Sequence, residues 1–306
     1  MLENKKVYIL LSTYNGEKYI RKQVESLLMQ NYKNLFVDIR DDGSEDATIQ
    51  YLHELKNECC SNVTIHIEKN IGYKRSFLEL LYSAPEADIY MFCDQDDVWE
   101  KDKVQAAVEK LKGLETPAIY TSNVRYCDEK LQVIGDSNFY NNEQIWRALL
   151  YNQAVGCTIA MNNELRKQIM RVPIENINFD NMYSHDCWVY RICAAIGGRC
   201  IFDSTPHILY RQHENNQIGG SASFLGTWRN RLDKINNRHI KQKLALELEK
   251  CYWDLISDSA TKDAIYQIAH YKSFKSKLHI IKNEEIYTDN FIDNLGVAAA
   301  ILLGVV

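Results

Sequence analysis

Ile89-Tyr90-Met91-Phe92-Cys93-Asp94-Gln95-Asp96-Asp97 sets an unbroken apolar run directly against three carboxylates. A short apolar run ended this way reads as a strand buried on both faces, with the acids just beyond its last residue. The same grammar recurs upstream. Val7 to Leu11 is a second apolar run, closed by Ser12-Thr13-Tyr14-Asn15-Gly16, and Glu17 to Gln30 then carries apolar residues at Ile20, Val24, Leu27 and Leu28, a helical spacing. Leu35 to Ile39 ends in Arg40-Asp41-Asp42-Gly43-Ser44 and is followed by Ile49, Leu52 and Leu55. Val63 to Ile67, a helix after Gly72 with Phe77, Leu80 and Leu81, and a helix with Val104, Val108 and Leu111 complete the series. Alternating strands and helices predict an α/β fold, a doubly wound, mostly parallel sheet with right-handed crossovers. In such sheets ligands bind beyond the C-terminal strand ends, so Ser12 to Asn15, Asp41 to Ser44 and Asp94 to Asp97 should line one crevice.

Downstream, Ala118 to Asn123 and Ala154 to Met161, the latter introduced by Asn152-Gln153, read as further strands, and Met182 to Ile196 as a helix with His185-Asp186 in its first turn. After Gly219-Gly220 the character changes, which divides a catalytic domain, residues 1–220, from a basic helical extension, 221–306.

A chain of 306 residues with 46% hydrophobic and 25% charged residues is an ordinary globular protein with room for a large core. Its net charge of −5 and the lack of a basic patch interleaved with aromatics argue against a nucleic-acid partner. Nine cysteines, an odd number without a CxxC or zinc-type spacing, read as reduced packing thiols of a cytoplasmic protein. The apolar stretch after Lys6 is too short for a signal-peptide core, so export is not expected.

Three carboxylates within four residues repel one another unless a cation or water screens them. A hard divalent ion, Mg²⁺ or Mn²⁺, answers that need and can bridge diphosphate oxygens; a solvated acidic turn before the next helix is the alternative. In Asp41-Asp42-Gly43-Ser44, Gly43 suits a tight turn and Ser44 a helix cap, while a carboxylate there can also accept from a base N–H or a ribose hydroxyl. Tyr14 offers an aromatic face.

Leu11 to Gly16, Arg40 to Ser44, Asn70-Ile71-Gly72, Asp94-Gln95-Asp96-Asp97-Val98-Trp99, His185-Asp186 and Tyr210-Arg211-Gln212-His213-Glu214-Asn215-Asn216 together resemble the ordered motifs of the family 2 glycosyltransferases. The resemblance runs over about residues 5–220 and is closest to bacterial rhamnosyltransferase-like members. It implies the A-type glycosyltransferase fold and inverting transfer of a sugar from a nucleotide-diphosphate donor. Ser12, Thr13, Tyr14, Asn15, Asp42, Asn70, Gly72, Asp94, Gln95 and Arg211 would then lie on the donor side, with Asp42 on the base and Asp94 facing the ribose. Asp96 and His213 would hold the metal, Asp186 would be the catalytic base, and Trp99, Gly156, Cys157 and His185 would lie on the acceptor side. Many relatives carry an acid where His185 stands.

By the same resemblance the favoured donor is dTDP-L-rhamnose and the acceptor a growing surface glycan or lipid-linked glycan at the inner face of the cytoplasmic membrane. Galactosyl, glucosyl or N-acetylhexosaminyl transfer from a UDP-sugar is the nearest alternative. A sugar-phosphate nucleotidyltransferase would need a Gly-rich basic loop after the first strand, and Ser12 to Lys18 holds a single Gly. A catalytically silent binding module would not need both the acid cluster and Asp186. In the extension, Trp228 to Lys243 sets six basic residues against Asp233, and Tyr271 to Lys282 adds four lysines. The terminal run Leu295 to Val306, 12 residues, falls short of the roughly 20 that span a bilayer. Peripheral membrane contact, packing on the catalytic domain and a homo-oligomer contact are the three uses open to it.

Overall fold

The computed structural model describes residues 4–58, 62–138, 144–151, 154–213, 239–288 and 291–304. The boundary at Gly219-Gly220, Asn152-Gln153, Glu214 to Asn216 and the basic stretch from Trp228 to Arg238 lie outside them.

The alternation foreseen from the sequence is present: β1 (Val7–Thr13), α1 (Ile20–Leu28), β2 (Leu35–Asp41), α2 (Thr48–Glu58), β3 (Val63–Ile67), α3 (Tyr73–Ser83), β4 (Ile89–Cys93), β5 (Val98–Trp99), α4 (Lys103–Leu111) and β6 (Ala118–Ser122). Then come β7 (Arg125–Cys127), β8 (Val133–Asp136), α5 (Ile145–Leu150), β9 (Ala160–Asn162), α6 (Asn163–Ile169), α7 (His185–Ala195), β10 (Arg199–Asp203) and β11 (Ile208–Arg211). Helices α8 (Ile240–Tyr252), α9 (Ser259–His270), α10 (Phe274–Ile281) and α11 (Phe291–Leu303) follow.

The main sheet has seven strands in the order β10-β6-β9-β4-β1-β2-β3. All neighbours run parallel except β9, which is antiparallel to both β4 and β6. Every residue of β1 is buried, because helices cover both faces. The period of two along the strands sorts the core into two layers. Tyr8, Leu10, Tyr90 and Phe92 pack with α3, α5, α6, α7 and the C-terminal helices, whereas Val7, Ile9, Leu11, Ile89, Met91 and Cys93 pack with α1, α2 and α4.

Chain order reverses between β1 and β4: β2 and β3 extend the sheet to one side of β1, and β4 lies on the other. The crevice of a doubly wound sheet opens at such a switch point. The antiparallel course of β9 carries the segment preceding it to the same end, beside the last residues of β4.

Two expectations change. Ala154 to Met161 is not one strand; Gly156–Thr158 forms a 3₁₀ turn and the strand starts only at Ala160, because the backbone turns there beneath α7. A second sheet, β5-β11-β7-β8, has no counterpart in the sequence reading; its strands are two to four residues long, too short for a periodic signal.

The described helices after residue 239 share the core of the preceding residues. Leu244, Leu248 and Tyr252 of α8 and Ile265 and Ile268 of α9 join the cluster that holds Trp188. The ring of Tyr252 meets Trp188 edge to face at 5.8 Å, and its hydroxyl donates to the Ile169 carbonyl at 2.9 Å. Glu247 accepts from the Asn178 amide at 3.2 Å and from the Asn181 side chain at 3.0 Å. Tyr252→Ala should therefore lower unfolding free energy by about 3–5 kcal/mol, as expected for a buried aromatic. Tyr252→Phe should lose only about 1 kcal/mol. Urea denaturation of the two variants measures both.

Candidate active site

Three loops meet at the switch point, and side-chain hydrogen bonds lock them together. The Gln95 carbonyl oxygen accepts from the Thr13 hydroxyl at 2.6 Å and the Tyr14 amide at 2.9 Å, while its Nε2 donates to the Tyr14 carbonyl at 3.1 Å. The loop after β4 is thus clasped to the loop after β1. Gly16 sits against this clasp: a Cβ there would fall 2.3 Å from the Gln95 oxygen. Asn15, in the left-handed region at φ 47°, donates its amide to Ser44 Oγ at 2.8 Å and accepts from the Glu45 amide through its side chain at 2.8 Å. The Tyr14 side chain in this loop is exposed, at 45%. Ser12 is buried and paired with Ser76 through hydroxyls 2.6 Å apart.

The Asp41–Ser44 turn is internally bonded. Asp41 accepts from the amides of Gly43 at 3.1 Å and Ser44 at 2.9 Å and from the Ser44 hydroxyl at 2.5 Å. Ser44 therefore does not cap a helix; α2 starts only at Thr48. Asp42, expected to meet a base, is buried and accepts from the Arg40 guanidinium, the Ile71 amide at 3.0 Å and the Gly72 amide at 2.9 Å. Its carboxylate ties down the Asn70–Gly72 loop, and Asn70 adds a 3.2 Å bond to the Gly72 amide.

The acid cluster is held from behind by Arg211, which is 1% exposed. Its Nε donates to the Asp96 carbonyl at 2.7 Å, its Nη1 to the Glu129 carbonyl at 2.5 Å, and its amide to the Asp97 carboxylate at 3.1 Å. The guanidinium also lies over Tyr19, 4.7 Å from the ring centroid. Arg211 is thus a brace beneath the acidic loop rather than a donor-side group, a correction that follows from its burial. Two residues on, His213 Nε2 and Asp96 Oδ2 lie 2.7 Å apart, and Tyr19 stacks on the imidazole at 5.0 Å.

Burial pushes the Asp94 carboxyl up to about 8, with repulsion from Asp96 and Asp186 adding to it. Burial likewise raises Asp97, again with Asp96 and Asp94 contributing. The site concentrates negative charge where little water can screen it, so it favours a cation. Among the described residues, Asp94, Asp97 and Cys157 offer ligand atoms within 4.8 Å of one another. Burial raises the Cys157 thiol, however, and a protonated sulfur does not suit a hard ion. Asp96 and His213, expected from the sequence to hold the metal, lie against each other, and the carboxylate oxygen of Asp96 is the kind of donor that suits Mg²⁺ or Mn²⁺.

On the other wall, Asp186 and His185 open α7, whose N-terminus favours a carboxylate. Both lie over Gly156, where a Cβ would fall 3.2 Å from His185 Nε2 and 3.3 Å from Asp186 Oδ2. Glycine is what allows this approach. Cys157 and Trp99, assigned to the acceptor side from the sequence, are buried instead: Cys157 lies beneath the crevice next to Asp97, and Trp99 is 3% exposed in the layer with α1 and α4. Lys103 covers the Trp99 ring at 4.8 Å.

Tyr19, Arg40, Ser76 and Glu129 escaped the sequence reading although each supports a site loop. Arg40 had a signal, a cation at the end of a buried strand beside two acids; Glu129 acts through its backbone carbonyl and had none.

The Glycosyl transferase family 2 model matches residues 8–172. The dTDP-rhamnosyl transferase RfbG of Shigella flexneri is 29% identical over 243 residues, 76% of this chain and 82% of the relative. The Escherichia coli glucosyltransferase WfaP, which uses UDP-Glc and GlcNAc-diphosphoundecaprenol, is 26% identical over 63% of this chain and 72% of its own. Among solved structures, Staphylococcus aureus TarS with UDP-GlcNAc superposes at TM-score 0.57 and 17% identity, covering 98% of this chain and 82% of TarS. The mannosyltransferase PcManGT of Pyrobaculum calidifontis, bound to GDP-Man and Mn²⁺, gives 0.53 and 15%, covering 98% of this chain and 86% of its own. The structural likenesses identify the fold.

Replacing Arg211 by Leu would strand the Asp96 and Glu129 carbonyls while keeping the backbone amide bond to Asp97. We expect a loss of about 2–4 kcal/mol in chemical denaturation. An unchanged midpoint would contradict the bracing role.

Proposed function

We propose, from the premise that this chain belongs to the family 2 glycosyltransferases, that it is an inverting enzyme moving L-rhamnose from dTDP-L-rhamnose to a hydroxyl of a bacterial surface glycan or lipid-linked glycan. The observation that carries the transferase reading is the meeting of the acid cluster and Asp186 in one crevice, near enough for Asp186 to raise Asp94. The rhamnosyl preference is supported by the similarity to RfbG. A UDP-sugar is the second reading, supported by the likeness to WfaP.

In this reading Tyr14 stacks on the base and Asp94 faces the ribose. Asp186 takes the proton of the acceptor hydroxyl as its oxygen attacks the anomeric carbon. The bond from that carbon to the diphosphate breaks, and the nucleoside diphosphate leaves with the electron pair. A single displacement inverts the anomeric centre. Asp96 and His213 would hold a Mg²⁺ or Mn²⁺ ion, which when bound supplies positive charge against the departing diphosphate.

A lipid-linked acceptor fits a surface on the C-terminal helices. Phe274 is 68% and Leu303 76% exposed, and Lys277 joins their helices by donating to the Leu302 carbonyl at 2.9 Å. Lys272, Lys275 and Lys282 are exposed nearby, and Tyr271 to Asn283 holds no acid. Among the described residues no helix is long and apolar enough to cross a membrane. Attachment by this face to anionic lipid is the peripheral contact proposed.

A panel of dTDP-, UDP- and GDP-sugars, assayed for metal-dependent turnover, tests the donor; failure with every sugar defeats the transferase reading. Asp186→Asn should lower transfer by about 10²–10⁴-fold, the range of a lost general base. Asp96→Ala should abolish any rise in thermal midpoint on adding Mn²⁺, and a retained rise would remove Asp96 from the metal set. Phe274→Ser combined with Leu303→Ser should reduce co-sedimentation with phosphatidylglycerol vesicles, and equal sedimentation would rule out this face.

A further inference from the structure

Between α9 and α10 the C-terminal helices leave an open cleft of about 540 Å³, within the roughly 300–1,000 Å³ of small-molecule sites. Lys275, Leu278, His279 and Lys282 follow one another at helical spacing, so a single face of α10 and its C-cap supplies one wall. Tyr266 and His270, on one face of α9, supply the other, with ring centroids 4.5 Å apart. Buried Tyr271 and Ile280 form the floor. The far side of α10 is fixed, because Lys277 donates to the Leu302 carbonyl of α11 at 2.9 Å.

No residue lining the cleft is acidic. The two carboxylates that reach lining side chains are engaged there: Glu249 lies 2.7 Å from His270 Nε2, and Asp263 accepts from Gln267 Nε2 at 2.6 Å. Lys275 and Lys282 are exposed, and neither pairs with a described carboxylate. Their backbones stand about 10 Å apart along the helix, a span that two flexible lysine side chains close from both ends. The wall therefore attracts an anion, while the aromatic and aliphatic remainder of the lining takes hydrocarbon. A free anion would use the cations alone. An amphiphile uses both.

We propose that this cleft binds one membrane lipid through its phosphate, with Lys275 and Lys282 on the phosphate oxygens and the adjoining chain along Tyr266, Leu278 and the floor. The inference rests on the peripheral-contact reading above and deepens it, from a general attraction to anionic lipid to one discrete headgroup site.

The probe is octyl phosphate, used below its critical micelle concentration and titrated calorimetrically into the full chain. It should bind once per chain and about ten-fold or more tighter than inorganic phosphate, since burying about two methylenes supplies that factor. Octyl glucoside, which has the chain without the charge, should bind more weakly than octyl phosphate. Lys275→Gln and Lys282→Gln should each weaken octyl phosphate about five-fold, the worth of a lysine beside anionic lipid. Both side chains are exposed, and equal thermal midpoints separate a binding loss from a folding one. Tyr266→Ser should narrow the gap between octyl phosphate and inorganic phosphate. Octyl phosphate bound no tighter than inorganic phosphate, or with native affinity in both lysine variants, overturns the inference. Phe274→Ser combined with Leu303→Ser should keep the native affinity for octyl phosphate. If that pair also sediments normally with phosphatidylglycerol vesicles, the apolar face is ruled out and the cleft stands, and donor turnover is judged separately from both.

Discussion

The guanidinium of Arg211, held without solvent beneath the loop Asp94 to Asp97, is the interaction on which the site depends. Carboxylates so close repel one another where water cannot screen them, so the loop that carries them needs support from behind. Arg211 grips the backbone of Asp96 and, through its own amide, the carboxylate of Asp97. The positive charge stays behind the loop, and the less buried side chains of Asp94 and Asp96 are left toward the crevice. Its grip on the Glu129 carbonyl joins the loop to the β7–β8 hairpin, which extends the second sheet.

From that brace the rest of the site follows by contact. Gln95 passes the position of the acidic loop to Thr13 and Tyr14, Asn15 passes it to Ser44, and Asp42 passes it to Ile71 and Gly72. Several residues whose chemistry suggests ligand contact are therefore spent on one another. The groups left toward the outside are fewer: the Tyr14 ring, and Asp94 and Asp96, the latter against His213. This economy is physical. Buried polar groups must be paired, so a rigid crevice uses most of its polar side chains internally.

Residue type and order made the sheet, its two-sided burial and the convergence of three loops legible, because unbroken apolar runs mark β1 and β4 and helical spacing marks α1 and α4. Ala154 to Met161 misled because an apolar run carries no mark of the turn inside it. Trp99 and Arg211 misled for a shared reason: a motif names residues near a site and does not say which way their side chains point.

What the sequence determined by itself is the alternating architecture and the set of residues at the strand ends, since hydrophobic periodicity and chain order act locally. What only the tertiary structure decided is which of those residues face the crevice. Burial of Arg211 depends on β11 pairing with β5 and β7, distant in sequence, and His185 and Asp186 pack on Gly156 because β9 runs against its neighbours and brings that residue under α7. Such contacts are set by packing between separate elements. The C-terminal helices make the same point: composition left membrane contact, packing on the rest of the chain and an oligomer contact open, and in the structure Leu244, Leu248 and Tyr252 close the core around Trp188.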